Sequence, residues 1–235
     1  GEGQEGVALL GPGSLGKLTI EEGASKGRGG RGNIYVFSGG NDGQIGSDVN
    51  YNGWANLRQT IAVGAIGNGG KHVSYSEPGA ALLICAPSGG QSLGIVTTDR
   101  TDSNGYDPTD YTSNFSGTSA AAPMVSGVIA LMLDANPQLT WRDVQHILVR
   151  TAIHVDSEDE GWEVNGANLP FNPKYGFGRV DASAAVQTSR AWPGVGEETS
   201  ANLSRFTGGE IPTNGDPLTL AARIDRAITV EHATL

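Results

Sequence analysis

The segment that decides the fold is residues 114–136, NFSGTSAAAPMVSGVIALMLDAN, which begins with small and polar residues and continues as an apolar run. The run from Met124 to Leu133 leaves no wide polar face, a pattern typical of a helix inside a protein. Pro123 falls in the first turns, where a missing amide hydrogen costs least, and Asn136 followed by proline ends the run. The sequence therefore predicts a buried helix of about four or five turns that starts at a serine-rich turn.

Ser119 lies at the predicted start of this helix. There the unpaired backbone amides and the positive end of the helix dipole favour negative charge. Such a position stabilises a developing oxyanion in an acyl-transfer reaction. Serine and threonine are also the common caps of helices, so capping is the default interpretation for an isolated serine at this place.

The longer string around Ser119 decides between these interpretations. Gly-Thr-Ser-Ala-Ala-Ala-Pro resembles the nucleophile segment of subtilisin-like serine proteases, and WRDVQ and YGFGRVDA farther along are similar to segments of the kexin and furin branch, the proprotein convertases. The resemblance implies an α/β fold of the subtilisin type, with three layers and a mostly parallel sheet. It also implies that Ser119 is the nucleophile of a serine endopeptidase that acts on protein or peptide substrates. Eukaryotic convertases usually have cysteines where this chain has Val49 and Tyr51, which favours a bacterial-type relative.

The composition fits one globular α/β domain or a domain with a fragment. Of the 235 residues, 37% are hydrophobic and 17% are charged, and the 36 glycines indicate many tight turns. A formal charge of −10 argues against binding of nucleic acid and is compatible with calcium or basic substrates. No membrane span and no signal peptide are predicted, because no apolar run approaches the required length. Cys85, in ALLICAP, is predicted to be a buried hydrophobe.

A second motif follows a predicted buried strand at residues 33–37, NIYVF. Asn41 would lie in the loop at the carboxyl end of this strand, where α/β enzymes place their active sites. An asparagine beside glycine is by default a turn residue. The segment VFSGGNDG, however, resembles the subtilase loop that supplies a side-chain amide to the oxyanion hole, which makes Asn41 a catalytic candidate. The same resemblance implies that Ser38, Gly39 and Gly40 form one wall of the pocket for the substrate residue before the scissile bond.

The segments SDVNYNGW and YSEPGA are similar to those that bind calcium and present acids to basic side chains in kexin-like proteases. Glu77 matches the calcium-binding glutamate, and Asp48 stands one place from the expected acid, so both are candidate ligands of a structural calcium ion. A calcium ion needs roughly six to eight oxygens, which carbonyl groups and water would complete. Asn52 stands where an aspartate would meet a basic substrate residue, and Gln4 also replaces an acid. Cleavage after basic residues is thus implied by the resemblance, with two of the family's acids missing.

A serine nucleophile needs a histidine base and a carboxylate that orients the histidine. The chain has four histidines, His72, His146, His154 and His232, and none lies in the His-Gly-Thr context of the family. No aspartate lies in the family's Asp-Ser-Gly or Asp-Asp-Gly context. Because the nucleophile comes last in the subtilisin chain order, we expect an upstream segment to supply both groups. This missing N-terminal part would be a partner of the chain, which we expect to be inactive alone.

The domain organisation follows from these resemblances and from composition. Residues 1–192 are predicted to be the C-terminal part of a peptidase domain, and residues 193–218 have the composition of a linker. Residues 219–235 include IDRAITVEHATL, which alternates as a strand does and resembles the first strand of the convertase P domain, a β-sandwich. A secreted or extracytoplasmic location is implied by the same resemblance.

The other predicted elements complete the α/β pattern. Helices are expected at about residues 13–27, 141–151 and 182–190, the last two with Thr140, Asp143 and Asp181 as caps. Strands are expected at 60–66, 82–86 and 94–98, a surface loop at 101–113, and irregular structure between 154 and 174.

Two other functional classes remain open. One is a subtilase-fold pseudoprotease or interaction module that lacks the base. The other is an unrelated α/β hydrolase, which the absence of a Gly-x-Ser-x-Gly motif disfavours. The sequence upstream of this chain in its parent gene separates the enzyme from the pseudoprotease, because only the enzyme needs the aspartate and histidine motifs there.

Overall fold

The structure is a computed structural model that describes residues 9–195 and the backbone of two short strands beyond them. The chain divides into two compact units, Gly1–Gly194 and Val195–Leu235. In the second unit the structure describes only β8 (Leu203–Ser204) and β9 (Arg223–Ile224), which pair antiparallel. The assignments of 193–218 to a linker and 219–235 to a P domain lie almost wholly outside the described residues and stay predictions.

A three-stranded parallel sheet forms the centre of the first unit. Its strands are β1 (Tyr35–Ser38), β2 (Thr60–Ile66) and β3 (Leu82–Pro87), paired in that order. Every residue of β2 is buried, as expected for a parallel strand that is covered on both faces. Within the described residues, the outer edge of β1 has no strand partner. The predicted parallel sheet is therefore confirmed, with boundaries that shift by no more than two residues.

The long helix α2 (Thr118–Ala135) packs against all three strands and against α4 (Ala182–Arg190). Its side chains Val125, Ile129 and Met132 enter a core cluster with apolar residues of β2 and β3. A stripe on the opposite side of α2 is exposed and consists mainly of small or apolar residues: Pro123, Ser126, Gly127, Ala130, Leu131 and Asp134. The predicted buried helix is thus buried on one side only in the described chain, because the sheet and α4 cover only part of its circumference.

By length and composition α2 could also cross a membrane, and it is the only such helix in the part of the chain that the structure describes. This differs from the expectation that no apolar run is long enough. The core helix of a soluble protein meets the same two criteria, so the finding is weak evidence for a membrane span. The packing of α2 against the sheet and α4 is the packing of a core helix.

Helices α3 (Trp141–Thr151) and α4 begin at the caps that the sequence predicts. The hydroxyl of Thr140 accepts a hydrogen bond from the amide of Asp143, whose carboxylate accepts one from the amide of Thr140 at 2.7 Å. The carboxylate of Asp181 accepts a hydrogen bond from the amide of Ala184 at 2.9 Å. Helix α1 (Ser14–Gly30) runs three residues beyond its predicted end, with non-helical backbone angles from Gly27 to Gly29.

A β-hairpin leads directly into α2. It pairs β4 (Ile95–Thr98) with β5 (Tyr111–Phe115) in antiparallel orientation. The predicted surface loop at 101–113 therefore ends three residues too late, and the sequence analysis does not predict the strand that follows it. Tyr111 and Thr112 favour a strand, but the polar residues before them hide that preference, and pairing with β4 decides the outcome.

A smaller cluster joins the sheet to the segment between α3 and α4. Tyr175, which is 1% exposed, donates a hydrogen bond to Asp156 at 2.8 Å and accepts one from the amide of His72. The Trp162 ring stacks on the Tyr175 ring, with centroids 5.5 Å apart. This segment, predicted to be irregular, holds the short antiparallel pair β6 (Glu163–Val164) and β7 (Pro170–Phe171). The cluster fixes the segment against the sheet.

Cys85 lies in the middle of β3 and is fully buried. Its backbone pairs with Arg179 beyond the edge of the sheet. Burial raises the pKa of the Cys85 thiol to about 12, so the thiol stays protonated at neutral pH. The prediction of a buried, unreactive cysteine is confirmed.

Candidate active site

The candidate site lies at the carboxyl edge of the parallel sheet. The carboxyl ends of parallel strands meet at one edge, which is where α/β folds bind ligands. β1 ends there in the loop Gly39, Gly40 and Asn41, and β3 ends there in a turn that begins at Ser88. The N-terminus of α2 reaches the same edge, since Thr118 hydrogen-bonds to Asn41 and the carbonyl of Gly117 accepts a hydrogen bond from Ser88.

Ser119 is exposed in the first turn of α2, directly after a strained turn. Gly117, the N-cap, has a φ of +90°, a conformation that residues with a side chain rarely adopt. A Cβ at this position would also lie 3.3 Å from Oδ1 of Asn41. The turn thus requires glycine, and it presents the Ser119 hydroxyl at the positive end of the helix dipole.

Asn41 is held against this turn through its side-chain oxygen. Oδ1 of Asn41 lies 2.8 Å from the amide nitrogen and 3.0 Å from the hydroxyl of Thr118. Because a backbone amide only donates, the oxygen and not the nitrogen of the Asn41 amide must face Thr118. The Nδ2 group of Asn41 is therefore not the group that faces Thr118, and it can donate to another acceptor.

A cavity of about 260 Å³ lies beside the end of β1. It is lined by Phe37, Ser38, Asn52 and Trp54, and the rings of Phe37 and Trp54 stack with centroids 6.0 Å apart. Asn52 is 5% exposed, and its Oδ1 accepts hydrogen bonds from the amides of Trp54 and Ala55. The structure thus brings Ser38 and Asn52 to one cavity, which has no acidic side chain among its described lining residues.

Gly39 and Gly40 lie behind this cavity rather than in its lining. A Cβ on Gly39 would meet the side chain of Leu82 at 2.9 Å, and one on Gly40 would meet the carboxyl carbon of Glu77 at 2.3 Å. Gly40 also has a φ of +114°. Both glycines therefore allow β1 and its loop to approach neighbouring chain closely.

Glu77 and Asp48, the predicted calcium ligands, have different surroundings. Glu77 is 2% exposed, and its Oε1 accepts a hydrogen bond from the amide of Asp42 at 3.2 Å. The Asp48 carboxylate caps a 3₁₀ turn by accepting a hydrogen bond from the amide of Asn50 at 2.8 Å. Next to Asp48, Ser47 buries a hydroxyl group that has no hydrogen-bond partner among the described residues, and its amide donates to the carbonyl of Asp42. Within the described residues, no group of three or more His, Cys, Asp or Glu side chains is placed to hold a metal ion.

The three described histidines have contacts elsewhere. Nε2 of His72 lies 3.0 Å from the carbonyl oxygen of Ser76, and burial lowers the pKa of His72 despite that hydrogen bond. His146 lies against Arg142 on α3, and the His154 ring meets Trp162. None of these contacts involves Ser119, and His232 lies outside the described residues.

A parallel sheet covered by α2, with Ser119 at the start of that helix and Asn41 beside it, defines a domain of the α/β class. The chain belongs to the subtilase family, whose model, described as "Peptidase_S8: Subtilase family", matches residues 8–178. Subtilases generally bind calcium.

Curated relatives include proprotein convertases. The chain is 40% identical over 197 residues to proprotein convertase subtilisin/kexin type 7 of Mus musculus. The aligned region covers 83% of this chain and 25% of the relative. The chain is 36% identical over 200 residues to kexin of Saccharomyces cerevisiae, with 85% of this chain and 24% of the relative covered. The chain thus spans about a quarter of the length of these relatives.

Solved structures support the fold. A serine protease of Aeromonas sobria superposes with a TM-score of 0.73 at 24% identity, covering 81% of this chain and 42% of the other. A protease from Pseudoalteromonas arctica superposes with a TM-score of 0.58 at 26% identity, covering 75% and 47%. The predicted subtilisin-like α/β fold is therefore confirmed.

The sequence analysis did not identify Thr118, Tyr75 or Ser88 as parts of the site. Thr118 holds Asn41, while Tyr75 and Ser88 hydrogen-bond to Gly117. One signal pointed to Ser88, namely its place two residues after the predicted parallel strand at 82–86, at the edge where such sites form. Tyr75 has no comparable signal, because only the tertiary fold brings its hydroxyl to Gly117.

Proposed function

We propose that the protein to which this chain belongs is a serine endopeptidase that hydrolyses peptide bonds through an acyl-enzyme on Ser119. The observation that supports this most directly is the exposed Ser119 at the N-terminus of α2, beside an Asn41 amide whose oxygen is fixed by Thr118. Family membership and the convertase relatives support the same reaction. Protein or peptide substrates follow from it.

In the proposed mechanism, the Ser119 oxygen attacks the carbonyl carbon of the scissile bond while a histidine base takes its proton. The carbonyl oxygen becomes negatively charged and accepts hydrogen bonds from Nδ2 of Asn41 and the backbone amide of Ser119. The histidine then protonates the leaving amine, and water hydrolyses the ester on Ser119. We propose that a segment upstream of this chain supplies the histidine and its aspartate.

The open edge of β1 is the proposed docking place for that upstream segment. A cavity of about 460 Å³ runs along this edge between β1 and α2, lined by Arg28, Asn33, Ile34, Tyr35, Val36, Ser126, Ile129, Ala130 and Leu133. Two residues of the exposed stripe of α2, Ser126 and Ala130, are part of this lining. An unpaired edge of a parallel sheet and an uncovered apolar helix face both favour association with further chain.

The cavity beside Ser38 and Asn52 is the proposed pocket for the substrate side chain before the scissile bond. A guanidinium group prefers a carboxylate partner, and the described lining offers the amide of Asn52 instead. We therefore propose that the protein accepts arginine at this position, as its convertase resemblance implies. Its preference for arginine over neutral side chains should be weaker than that of a pocket that contains a carboxylate.

We propose that Glu77 binds a structural calcium ion, with Asp48 as a second candidate ligand. The buried carboxylate of Glu77 and the unpartnered hydroxyl of Ser47 support an ion near the loop of Asp42. Backbone carbonyls and water would complete the oxygen ligands that calcium requires. The ion would hold this loop, which follows Asn41 directly.

We also propose an extracytoplasmic location for the protein, as its convertase resemblance implies.

The experiment that tests the reaction uses a fluorophosphonate probe on the full-length protein, because such probes label activated serine nucleophiles. We expect labelling that is lost in Ser119→Ala and retained in Ser183→Ala, an exposed serine that, like Ser119, is the second residue of its helix. Labelling that survives Ser119→Ala removes the assignment. A full-length protein that is folded but unlabelled, with no upstream aspartate and histidine motifs, would instead be a pseudoprotease or interaction module.

A further inference from the structure

A closed ring of three hydrogen bonds surrounds the glycine before the candidate nucleophile. The amide of Gly117 donates to the hydroxyl of Tyr75 at 3.1 Å. The Tyr75 hydroxyl donates to Oγ of Ser88 at 2.9 Å, and the Ser88 hydroxyl donates to the carbonyl oxygen of Gly117 at 2.8 Å. We call this set the Gly117 ring. The Tyr75 hydroxyl has one hydrogen, which it shares between Oγ of Ser88 and the carbonyl oxygen of Gly89, while the Gly117 amide and the Ser88 hydroxyl each donate to one acceptor.

The Gly117 ring joins three separate elements of the fold. Ser88 follows β3 and is 2% exposed, and Gly117 is the N-cap of α2. Tyr75 lies in the loop between β2 and β3, two residues before Glu77, and its backbone carbonyl accepts a hydrogen bond from the amide of Gly43. Tyr75 also reaches the carbonyl of Gly89, next to Ser88. The ring therefore fixes the start of α2 relative to the sheet and to the Asn41 loop.

The conformation of Gly117 gives the ring its importance. A glycine loses more backbone freedom on folding than any other residue, and its N-cap position has no side chain that could bind the free amides of the helix. Its φ of +90° is held only by contacts with other residues. Asn41 fixes the Thr118 amide on one side of this turn, and the Gly117 ring fixes the preceding peptide on the other.

We propose that Tyr75 and Ser88 are positioning residues for Ser119 and for the backbone amide that binds the oxyanion. This proposal rests on the proposed function. A rotation of the Gly117 peptide would move the Ser119 hydroxyl and its amide together, and displacements of about 1 Å at such groups cost on the order of 10²-fold in rate. Neither residue touches the substrate, so their effect belongs to the chemical step and not to binding.

The experiment compares Tyr75→Phe with Tyr175→Phe in the full-length protein. Both variants lose one partly buried phenol hydroxyl that accepts a hydrogen bond from a backbone amide, but only Tyr75 contacts the α2 turn. We expect Tyr75→Phe to lower kcat and the rate of fluorophosphonate labelling at least tenfold, with KM changed less than twofold. Tyr175→Phe should leave both rates within twofold at an equal or larger drop in melting temperature.

Ser88→Ala and the double variant complete the test. Because the ring acts as a unit, Tyr75→Phe combined with Ser88→Ala should cost no more than the worse single variant. The proposal would be overturned if the fold losses in kcat of the two single variants multiply in the double variant. It would also be overturned if kcat and the labelling rate of Tyr75→Phe match those of the wild type.

Amide exchange separates this proposal from the proposed function. If the wild-type protein is not labelled at all, the proposed function fails, and hydrogen exchange at the Gly117 amide then decides the positioning role. Faster exchange there in Tyr75→Phe, by tenfold or more relative to both wild type and Tyr175→Phe, would support it. Equal exchange in the three proteins would refute it.

Discussion

The side-chain oxygen of Asn41 accepts hydrogen bonds from both the amide and the hydroxyl of Thr118, at 2.8 and 3.0 Å. The oxygen of this side chain caps the first turn of α2. We propose that its nitrogen donates to an oxyanion on the substrate. Substitutions that change only one end of the amide can separate these roles.

Asn41→Asp should lower kcat while the melting temperature stays close to that of the wild type. The aspartate keeps an oxygen for Thr118 and places a negative charge at a helix N-terminus, which is favourable, but it replaces the oxyanion donor with a repelling oxygen. Loss of such an asparagine in subtilisin, itself a member of this family, costs about 10²–10³ in kcat, a magnitude we carry over rather than derive. Steady-state kinetics and thermal unfolding of the full-length protein measure the two effects.

Asn41→Ala is the companion variant, because it removes both ends of the amide. It should lose a similar factor in kcat and also about 1 kcal/mol of stability, the usual effect of removing a helix cap. If Asn41→Asp and Asn41→Ala unfold at the same temperature, the capping role of the oxygen is wrong.

Asn52→Asp should raise kcat/KM for substrates with arginine before the scissile bond by about tenfold or more. The new carboxylate keeps the oxygen that the amides of Trp54 and Ala55 need, and it adds a charged partner for the guanidinium. Peptides with phenylalanine at the same position should gain nothing. Asn56→Asp is the control, since this exposed asparagine lies nearby but outside the cavity lining. An equal gain in Asn56→Asp would assign the effect to general surface charge.

Removal of calcium should lower the melting temperature of the full-length protein through Glu77. Added chelator is expected to destabilise the wild type and to have a smaller effect on Glu77→Gln, which keeps an oxygen for the Asp42 amide. Asp48→Asn tests the second candidate ligand in the same way. Calcium titration by calorimetry gives the direct measurement, and binding that is unchanged in Glu77→Gln would exclude this residue.

Asp159 should stabilise the protein in a defined range of pH. Its hydrogen bond from Lys174 at 2.7 Å, with help from Asn172, holds the pKa of Asp159 at about 2, below the usual value near 3.8. A lowered pKa in the folded state stabilises the protein above the unfolded pKa, and the effect disappears as the pH falls toward the folded value. The difference in urea midpoint between wild type and Asp159→Asn should therefore be constant above about pH 5 and shrink between about pH 4 and pH 2.

The sequence predicts the regular part of the fold because local patterns determine it. The continuous apolar runs of β2 and β3 and the capping box of α3 are readable from residue order alone, and each is confirmed. β5 is missed because its residues gain their strand conformation from pairing with β4. The exposed stripe of α2 is missed because apolar composition does not state what covers each side of a helix.

The candidate site also contains residues that the sequence predicts and residues that it does not. Ser119 and Asn41 lie in strings specific enough for a family resemblance, so their importance can be predicted one residue at a time. The Gly117 ring depends on contacts between positions 29 and 42 residues apart, and the sequence does not show that Tyr75 and Ser88 meet at Gly117. Such residues become visible only when the fold brings them together.

The burial of Cys85 has a practical consequence for experiments on this protein. The chain has only this one cysteine, and a fully buried thiol with a pKa of about 12 reacts negligibly with alkylating reagents at neutral pH. The native chain therefore behaves as a thiol-free background, to which a single exposed cysteine adds one addressable position. A fluorophore or spin label placed at Ala130, on the open stripe of α2, would report directly when an upstream segment covers that face.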